Sequence, residues 1–281
     1  MPTDPTKIIN RVSDLPTLPS VVARVNEMVG DPSVSAGNIN DVISKDVALS
    51  ARILKLVNSA FYGFPRRIAS VTHAIVILGF NSVRNVTLSA SVFEAFEAKD
   101  LPFGYRDFWV HSIGVAVATN VIARQKRLAD VEDAFMCGLL HDIGKVVLHQ
   151  FARDDFARAL NYAQDRDCLL FDAEVEVLGA SHAHIGGLLT DRWRLPPKIV
   201  DVIRFHHSPM NADDARELAA AVHIADAFAR ALMIGSGGDR KIPRADPAAW
   251  SLLGLDAEGP GQLMRQVASE MHTADAFVDM I

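Results

Sequence analysis

The sequence predicts an all-α protein, and three features of the chain carry that prediction. Apolar residues recur at spacings of three and four in one segment after another, as they do on one face of a helix. Short stretches rich in glycine and proline, which interrupt helices, separate these segments. No part of residues 1–100 has the pattern of a strand. We therefore expect a multi-helix bundle with an N-terminal helical subdomain, residues 1–100, and a second helical domain, residues 101–281.

The N-terminal subdomain is expected to consist of short helices joined by short loops. Ser20 has the character of an N-cap, because its hydroxyl can accept a hydrogen bond from a free amide of the first turn. Gly79 follows an apolar helical run and is expected to end it. The predicted helices cover residues 6–12, 20–29, 36–44, 46–59, 70–78 and 81–96.

The second domain begins after a linking stretch, residues 98–106, and its predicted helices are longer and more apolar. Ser181 is a second N-cap candidate, which places His182 in the first turn of the helix that follows. Prolines at 196 and 197 favour the start of another helix there. The predicted helices cover residues 107–127, 134–148, 154–165, 171–178, 182–193, 195–203, 216–234 and 261–277.

Composition limits the function. The chain has 281 residues, of which 49% are hydrophobic and 22% charged, so it has ample material for a core. A net charge of −6 leaves no basic excess to neutralise phosphates, which argues against a nucleic-acid partner. The two cysteines, Cys137 and Cys168, form no CxxC motif, which excludes a disulfide framework and a cysteine zinc cluster.

The expected location is the cytoplasm. No apolar run in the sequence looks long enough to cross a bilayer. The N-terminus has neither the basic nor the apolar part of a secretory signal peptide. We therefore expect no membrane association.

The pair His141-Asp142 lies inside the apolar run 134–148. Burying an unpaired carboxylate or imidazole costs several kcal/mol, and binding a transition metal offsets this cost. A hydrogen-bonded His-Asp pair is the alternative interpretation. Lys145 follows at helical spacing, so its ammonium can meet a phosphate oxygen beside the metal. Alternatively, Lys145 extends from an apolar face to water.

Further buried ionisable residues on other predicted helices strengthen the metal interpretation. Adjacent histidines at a helix end point in different directions, so His206 and His207 suit two neighbouring ions better than one. Imidazole and carboxylate ligands suit iron, manganese or zinc, and two such ions can hold a phosphoryl group. The candidate ligands are His111, His141, Asp142, His182, His206, His207 and Asp226.

The order His…His-Asp…His…His-His…Asp resembles the HD superfamily of metal-dependent phosphohydrolases, and the form His-Asp-Ile-Gly-Lys resembles its HD-GYP branch. Several further motifs resemble the HDOD domain, and together the resemblance covers roughly residues 10–275. These motifs are residues 15–19 (Leu-Pro-Thr-Leu-Pro), 54–63 (Leu-Lys-Leu-Val-Asn-Ser-Ala-Phe-Tyr-Gly), 70–79 (Ser-Val-Thr-His-Ala-Ile-Val-Ile-Leu-Gly), 108–112 (Phe-Trp-Val-His-Ser), and 181–186 (Ser-His-Ala-His-Ile-Gly) with the later Arg-Trp and Leu-Pro pairs.

The resemblance implies an all-α HDOD protein, a bacterial signalling or regulatory module. HDOD members have usually lost part of the metal set, whereas every matched position here carries a ligand type. The Gly-Tyr-Pro motif of the HD-GYP branch is absent after His207. HD-GYP proteins with a third metal use an acid one turn before the first histidine, a position that Asp107 matches. A first-turn acid favoured by the helix dipole is the alternative role for Asp107.

Two functions follow from these observations. The first is a regulatory protein with a retained centre of two divalent ions, expected to be iron, that binds phosphate or a phosphorylated ligand and docks a partner signalling protein. The second is an active phosphohydrolase or phosphodiesterase that acts on a nucleotide or cyclic dinucleotide through metal-activated water, with Asp142 and Lys145 as catalytic residues. The sequence leaves open the oligomeric state and the roles of His149, His184 and His223.

Overall fold

The structure, a computed structural model, describes residues 17–96, 100–255 and 259–281. The predicted helix 6–12 lies outside these residues. The described residues form two compact units, one of residues 17–96 with 270–281 and the other of residues 100–255 with 259–269. We describe each unit by itself.

The smaller unit includes the C-terminal residues, which we had expected to belong to the second domain. The ring of Phe277 is fully buried and meets the ring of Phe61 edge to face, with centroids 5.7 Å apart. Lys55 also forms an ion pair with Asp279 at 3.2 Å. Within the described residues, the helices of this unit are α1 (Ser20–Val29), α2 (Ala36–Ile43), α3 (Val47–Val57), α4 (Val71–Ala95) and α15 (Asp275–Val278), with a 3-10 turn at Met271–Ala274.

The larger unit is also helical, and no strand occurs in the described parts of the chain, so the all-α prediction is confirmed. Two 3-10 turns, Pro209–Asn211 and Asp213–Ala215, lie between its later helices. The helices are α5 (Tyr105–Lys126), α6 (Val131–Leu140), α7 (Ile143–Phe151), α8 (Arg153–Arg166), α9 (Leu170–Leu178), α10 (His182–Arg192), α11 (Pro197–Phe205), α12 (Arg216–Ala231), α13 (Pro247–Leu252) and α14 (Gly259–Glu270).

Helix α4 is long and apolar enough to pass a length and composition test for a membrane span, which corrects our expectation that no run would. The backbone leaves helical geometry at Gly79, where φ is 82°, so α4 is two helices joined at a kink, as the sequence predicted. Of its most apolar stretch, 61% is buried inside the protein. This burial is typical of the core helix of a globular unit.

The prediction of one continuous helix over residues 134–148 is wrong, because the helix is interrupted in its middle. Helix α6 ends at Leu140 and α7 begins at Ile143, so His141 and Asp142 lie at the junction of two helices. A second correction concerns Ser20, which is the first residue of α1 and makes no capping bond, while Pro19 occupies the N-cap position. The Ser181 hydroxyl does accept the amide of the third helical residue, as predicted.

Packing in the larger unit brings the ends of several helices to one place. Helix α5 packs along α6 and α12, and α10 packs against α7 and α11. Gly144 makes the second contact possible, because a Cβ at this position would overlap the carbonyl oxygen of His182. The first turn of α10 therefore lies directly beside the junction that carries His141 and Asp142.

Candidate metal centre

All seven candidate ligands predicted from the sequence meet inside the larger unit. His111 comes from α5, the His-Asp pair from the α6–α7 junction, and Asp226 from the middle of α12. The other three come from the first turn of α10 and the end of α11. Six of the seven are buried, with exposed fractions of 2% or less, and His207 is partly buried: His111, His141, Asp142, His182, His206 and Asp226.

Asp142 lies at the middle of this cluster, and its two oxygens face different imidazoles. Its Oδ1 lies 3.0 Å from Nε2 of His182 and 3.9 Å from Nε2 of His206. Its Oδ2 lies 3.2 Å from Nε2 of His141 and 3.7 Å from Nε2 of His111. The carboxylate is therefore placed to serve two groups of ligands at once.

The ligand atoms fall into groups of a size that suits single ions. Atoms of His111, His141 and Asp226, which we call the first group, lie within 4.8 Å of one another. The same holds for the second group, which consists of His182, His206 and His207. Two atoms that each lie about 2.1 Å from one ion are about 3.0 Å apart at a right angle and about 3.4 Å apart at the tetrahedral angle. The separations around Asp142 are at or slightly above these values.

The hydrogen bonds of the ring nitrogens orient the imidazoles inward. Nδ1 of His141 lies 2.7 Å from the Gly138 carbonyl oxygen, and Nδ1 of His206 lies 2.8 Å from that of Ile203. Such bonds place the proton on Nδ1 and leave the Nε2 lone pair free for a metal. Within the described residues, Nε2 of His111, His141 and His206 is buried without a hydrogen-bond partner. Orphaned lone pairs aimed at carboxylates fit a metal cation.

The same oxygen of one buried acid fixes His182 in two ways. Glu174 Oε2 lies 2.6 Å from Nδ1 of His182 and accepts its backbone amide at 2.7 Å. Carboxylates in this position orient a ligating histidine and raise its basicity. We had not identified Glu174 from the sequence. The signal was present, because Glu174 shares the apolar face of α9 with Leu170, Ala173 and Leu178.

The pKa values of the imidazoles shift in different directions. Burial, with help from neighbouring histidines, holds the pKa of His206 and His207 well below the usual range. Burial also lowers the pKa of His111, although Asp226 opposes it. The pKa of His182 is raised, because Glu174 and Asp142 together outweigh its burial. Neutral imidazoles are the form that binds metal.

Both carboxylates of the cluster stay ionised. Burial would raise the pKa of Asp142, but His141, Lys145 and His182 hold it well below its usual range. Burial of Asp226 is likewise outweighed, here by Arg230 and His111, and its pKa is also held well below the usual range. Arg230 donates to Asp226 at 2.9 Å. The centre therefore offers two anionic oxygen ligands at neutral pH.

Lys145 is fully buried, and its ammonium is engaged on both sides. Its Nζ donates to Asp142 Oδ2 at 2.6 Å and to the Gly237 carbonyl oxygen at 2.7 Å. It therefore does not extend to water, as the alternative interpretation had it. A phosphate that meets this ammonium has to take the place of the Gly237 carbonyl or use the remaining N–H.

The structure does not bring Asp107 into the cluster. Its side chain is exposed, and its backbone carbonyl accepts the amide of Ser236 at 2.9 Å. The three extra histidines lie outside the cluster. His184 is exposed, His149 lies 3.0 Å from Asp100, and Nδ1 of His223 donates to the His206 carbonyl at 2.8 Å. His223 thus supports the second group through the backbone of His206.

Comparisons with known proteins agree with the fold and the site. The HDOD domain family model matches residues 15–209. The crystal structure of an HDOD domain protein of unknown function from Geobacter sulfurreducens is 26% identical, with a TM-score of 0.78 over 98% of this chain and 96% of that one. A proposed phosphohydrolase from Shewanella amazonensis is also 26% identical, with a TM-score of 0.74 over 97% of both chains.

A curated relative matches a smaller part of the chain. Ribonuclease Y of Thermus thermophilus is 36% identical over 121 residues, which are 43% of this chain and 16% of that protein. The chain spans less than half the length of the curated relatives it matches first.

Proposed function

Because this chain belongs to the HDOD domain family, we propose that it is a bacterial regulatory protein that retains a two-metal centre and binds a phosphate-bearing ligand there. One observation carries this proposal. Three buried Nε2 atoms without hydrogen-bond partners surround two carboxylates that stay ionised. Leaving buried polar atoms unpaired costs about 1–3 kcal/mol each, so a folded protein gains by binding a cation among them.

The two groups would hold one ion each, with Asp142 between them. His111, His141 and Asp226 provide two nitrogens and an oxygen, and the second group provides three nitrogens. This mixture of borderline and hard ligands suits iron, with manganese or zinc as substitutes. When bound, a pair of divalent ions polarises a phosphoryl oxygen and lowers the pKa of a coordinated water.

Lys145 is the residue that would recognise the phosphate. Its ammonium lies 2.6 Å from Asp142, the carboxylate proposed to bridge the two ions, so a phosphate bound to the ions would lie close to it. Lysine binds phosphate as a point charge and tolerates varied geometry. Release from Gly237 would turn the ammonium toward the phosphate while the rest of the centre keeps its place.

An active phosphohydrolase is the second candidate, and the completeness of the ligand set favours it. The similarity to a ribonuclease over 43% of the chain adds phosphodiester chemistry to the candidate reactions. The regulatory function is favoured by the closed state of the centre, in which the cluster is buried and Gly237 covers Lys145. We propose the regulatory function as the cellular one.

The deciding experiment has two stages. Protein purified without chelators is assayed for metals, and then again after reconstitution with iron or manganese. We expect two ions per chain when fully loaded, and no metal above trace in either sample would overturn the proposal. Loaded protein is then incubated with a phosphodiester panel of nucleotides and cyclic dinucleotides. Metal without turnover supports the regulatory function, whereas turnover supports the hydrolase.

The smaller unit has a separate role in this proposal, the docking of a partner signalling protein in the cytoplasm. Three large apolar side chains around the kink of α4 are exposed: Val76 by 72%, Ile77 by 45% and Phe80 by 36%. Clustered exposed apolar groups are typical of interaction surfaces. Val76→Asp should abolish binding of a partner that uses this surface while the metal content stays unchanged.

A further inference from the structure

The segment of residues 234–241, which we call the strap, follows α12 and is fastened to the metal centre. The Ile234 carbonyl oxygen lies 3.3 Å from Nδ1 of His111, and the Gly237 carbonyl accepts from Lys145. Arg230, which also holds Asp226, donates to the Asp239 carboxylate at 3.0 Å. The inner side of the strap therefore contacts one ligand of the first group and the two cations that hold the carboxylates of Asp142 and Asp226.

The other side of the strap forms one wall of a pocket of about 640 Å³. This volume lies within the range of small-molecule sites, about 300–1,000 Å³. Strap residues 236 and 238–241 line the pocket, and none of the candidate metal ligands does. We call it the strap pocket. Its other walls include Phe103, Leu160, Asn161 and Gln164.

The strap wall offers donors and positive charge to an anion. Arg240 is exposed and forms no ion pair with any residue in the described ranges. The consecutive backbone amides of Asp239 and Arg240 also donate no hydrogen bond within those ranges. Neighbouring free N–H groups beside a guanidinium form the kind of concave site that holds phosphate. Lys241 and Asp167 also line the pocket, and because they pair with each other at 2.5 Å they add no net charge, so Arg240 is the cation that the strap wall offers.

The opposite walls set the shape of the rest of the ligand. Phe103 and Leu160 provide an apolar surface, while the amides of Asn161 and Gln164 are exposed hydrogen-bonding groups. The Asp239 carboxylate does not repel an anion strongly, because Arg230 and the Leu170 amide already bind it. A phosphate attached to a flat ring matches both ends of the pocket.

We propose that the strap pocket is a second ligand site, for a small phosphate-bearing molecule with an aromatic group, and that this ligand holds the strap closed over Lys145. The strap forms the pocket in the same conformation in which Gly237 covers Lys145. A ligand that binds this conformation stabilises it against any open one. Because coupling is reciprocal, phosphate at the metal centre and the ligand in the strap pocket weaken each other. This second step rests on the proposed function of Lys145.

The binding step is tested by calorimetry on the full chain with phenylphosphonate, which resists hydrolysis. Arg240→Gln removes the free guanidinium and should weaken binding about tenfold. Arg244→Gln removes a nearby exposed arginine that does not line the pocket and should leave binding unchanged. Methylphosphonate, which lacks the ring, should bind more weakly. Equal affinity of wild type and Arg240→Gln overturns the site, and so does loss of binding in Lys145→Met alone, which would place the probe at the metal centre.

The closing step is tested by acylation of lysines, read by mass spectrometry. Saturating phenylphosphonate should slow the modification of Lys145 about tenfold, within the usual range of coupling between sites. Lys198, an exposed lysine paired with Asp130, serves as the internal reference. An unchanged Lys145 rate at saturation overturns the closing step. Neither measurement needs bound metal, so a metal-free protein would refute the proposed function and still decide this inference.

Discussion

The two ligand groups of the candidate centre each consist of three residues, but the residues that support them carry opposite charges. The first group rests on a cation, since Arg230 donates to Asp226, and on the backbone carbonyl that meets Nδ1 of His111. The second group rests on an anion, since Glu174 binds His182 at both its ring and its backbone amide. A cation beside a ligand withdraws charge from the metal, whereas an anion behind a histidine adds it. We therefore expect the second group to bind its ion more tightly than the first.

The substitution with the largest expected effect removes Asp142, the carboxylate that the two groups share. Asp142→Ala should empty both ion sites and destabilise the protein, because Lys145 is left buried without its carboxylate. Breaking a buried pair costs about 3–5 kcal/mol, and loss of metal adds about 2.7 kcal/mol at a hundredfold excess over Kd. Metal analysis and thermal melting measure both effects.

Asp191→Ala is the matched control, since Asp191 is an exposed acid of the same unit. If Asp142→Ala melts with the wild type and keeps its metal, Asp142 is not a ligand and the two groups are not linked through it.

The next test disturbs only the second group. Glu174→Gln keeps an acceptor oxygen but removes the charge behind His182, which should lower the affinity of one ion about 10–100-fold. The ion of the first group should remain. Titration of the variant with metal should then show two separate affinities, with the second group the weaker. In the wild type the two affinities should lie closer together, with the second group the stronger. Glu176→Gln, an exposed acid on the same helix, should change neither. A uniform loss of both ions would contradict the division into two groups.

Lys145→Met tests the residue that joins the bridging carboxylate to the strap. The substitution keeps the length of the side chain and removes the charge, so both ions should stay while phosphate affinity falls about tenfold. Calorimetry with inorganic phosphate on metal-loaded protein measures the change. Lys198→Met is the control for loss of a surface charge. Equal phosphate affinities would remove Lys145 from the site.

The sequence predicted the members of both groups but only part of what supports them. Residue type and helical spacing identified all seven residues that the structure brings together, because a polar group on an apolar face stands out in a single chain. Arg230 lies at i,i+4 from Asp226 on α12, so helical spacing could have assigned it, and it was missed. Gly237 could not be assigned to the centre, since its contact with Lys145 joins the strap to α7. Such contacts depend on tertiary packing.

The fold shows the same limit. The spacing of apolar residues located most helices, yet the break between Leu140 and Ile143 was missed. Gly138 and Gly144, both poor helix formers, flank the junction, but neither lies in it, and the apolar spacing continues across it. Asp107 was misplaced for the opposite reason. Its spacing from His111 fits a ligand, but the first turn of α5 leaves it exposed.

The smallest expected effect is a change in how the free energy of unfolding of the metal-free protein depends on pH when Glu174 loses its charge. His206 and His207 have lowered pKa values, so below about pH 6.5 the unfolded chain binds more protons than the folded one and the free energy of unfolding falls. His182 has a raised pKa, so its contribution is complete below about pH 6.5 and is lost as pH rises through that raised pKa. In Glu174→Gln, His182 loses the anion that raises its pKa and should join the other histidines. The variant should therefore lose stability more steeply between about pH 6.5 and 5.5, by at most about 1.4 kcal/mol per pH unit, which is the most that one group can add. Urea unfolding in the presence of a chelator measures both slopes, and parallel profiles for variant and wild type would mean that Glu174 acts on His182 by shape alone.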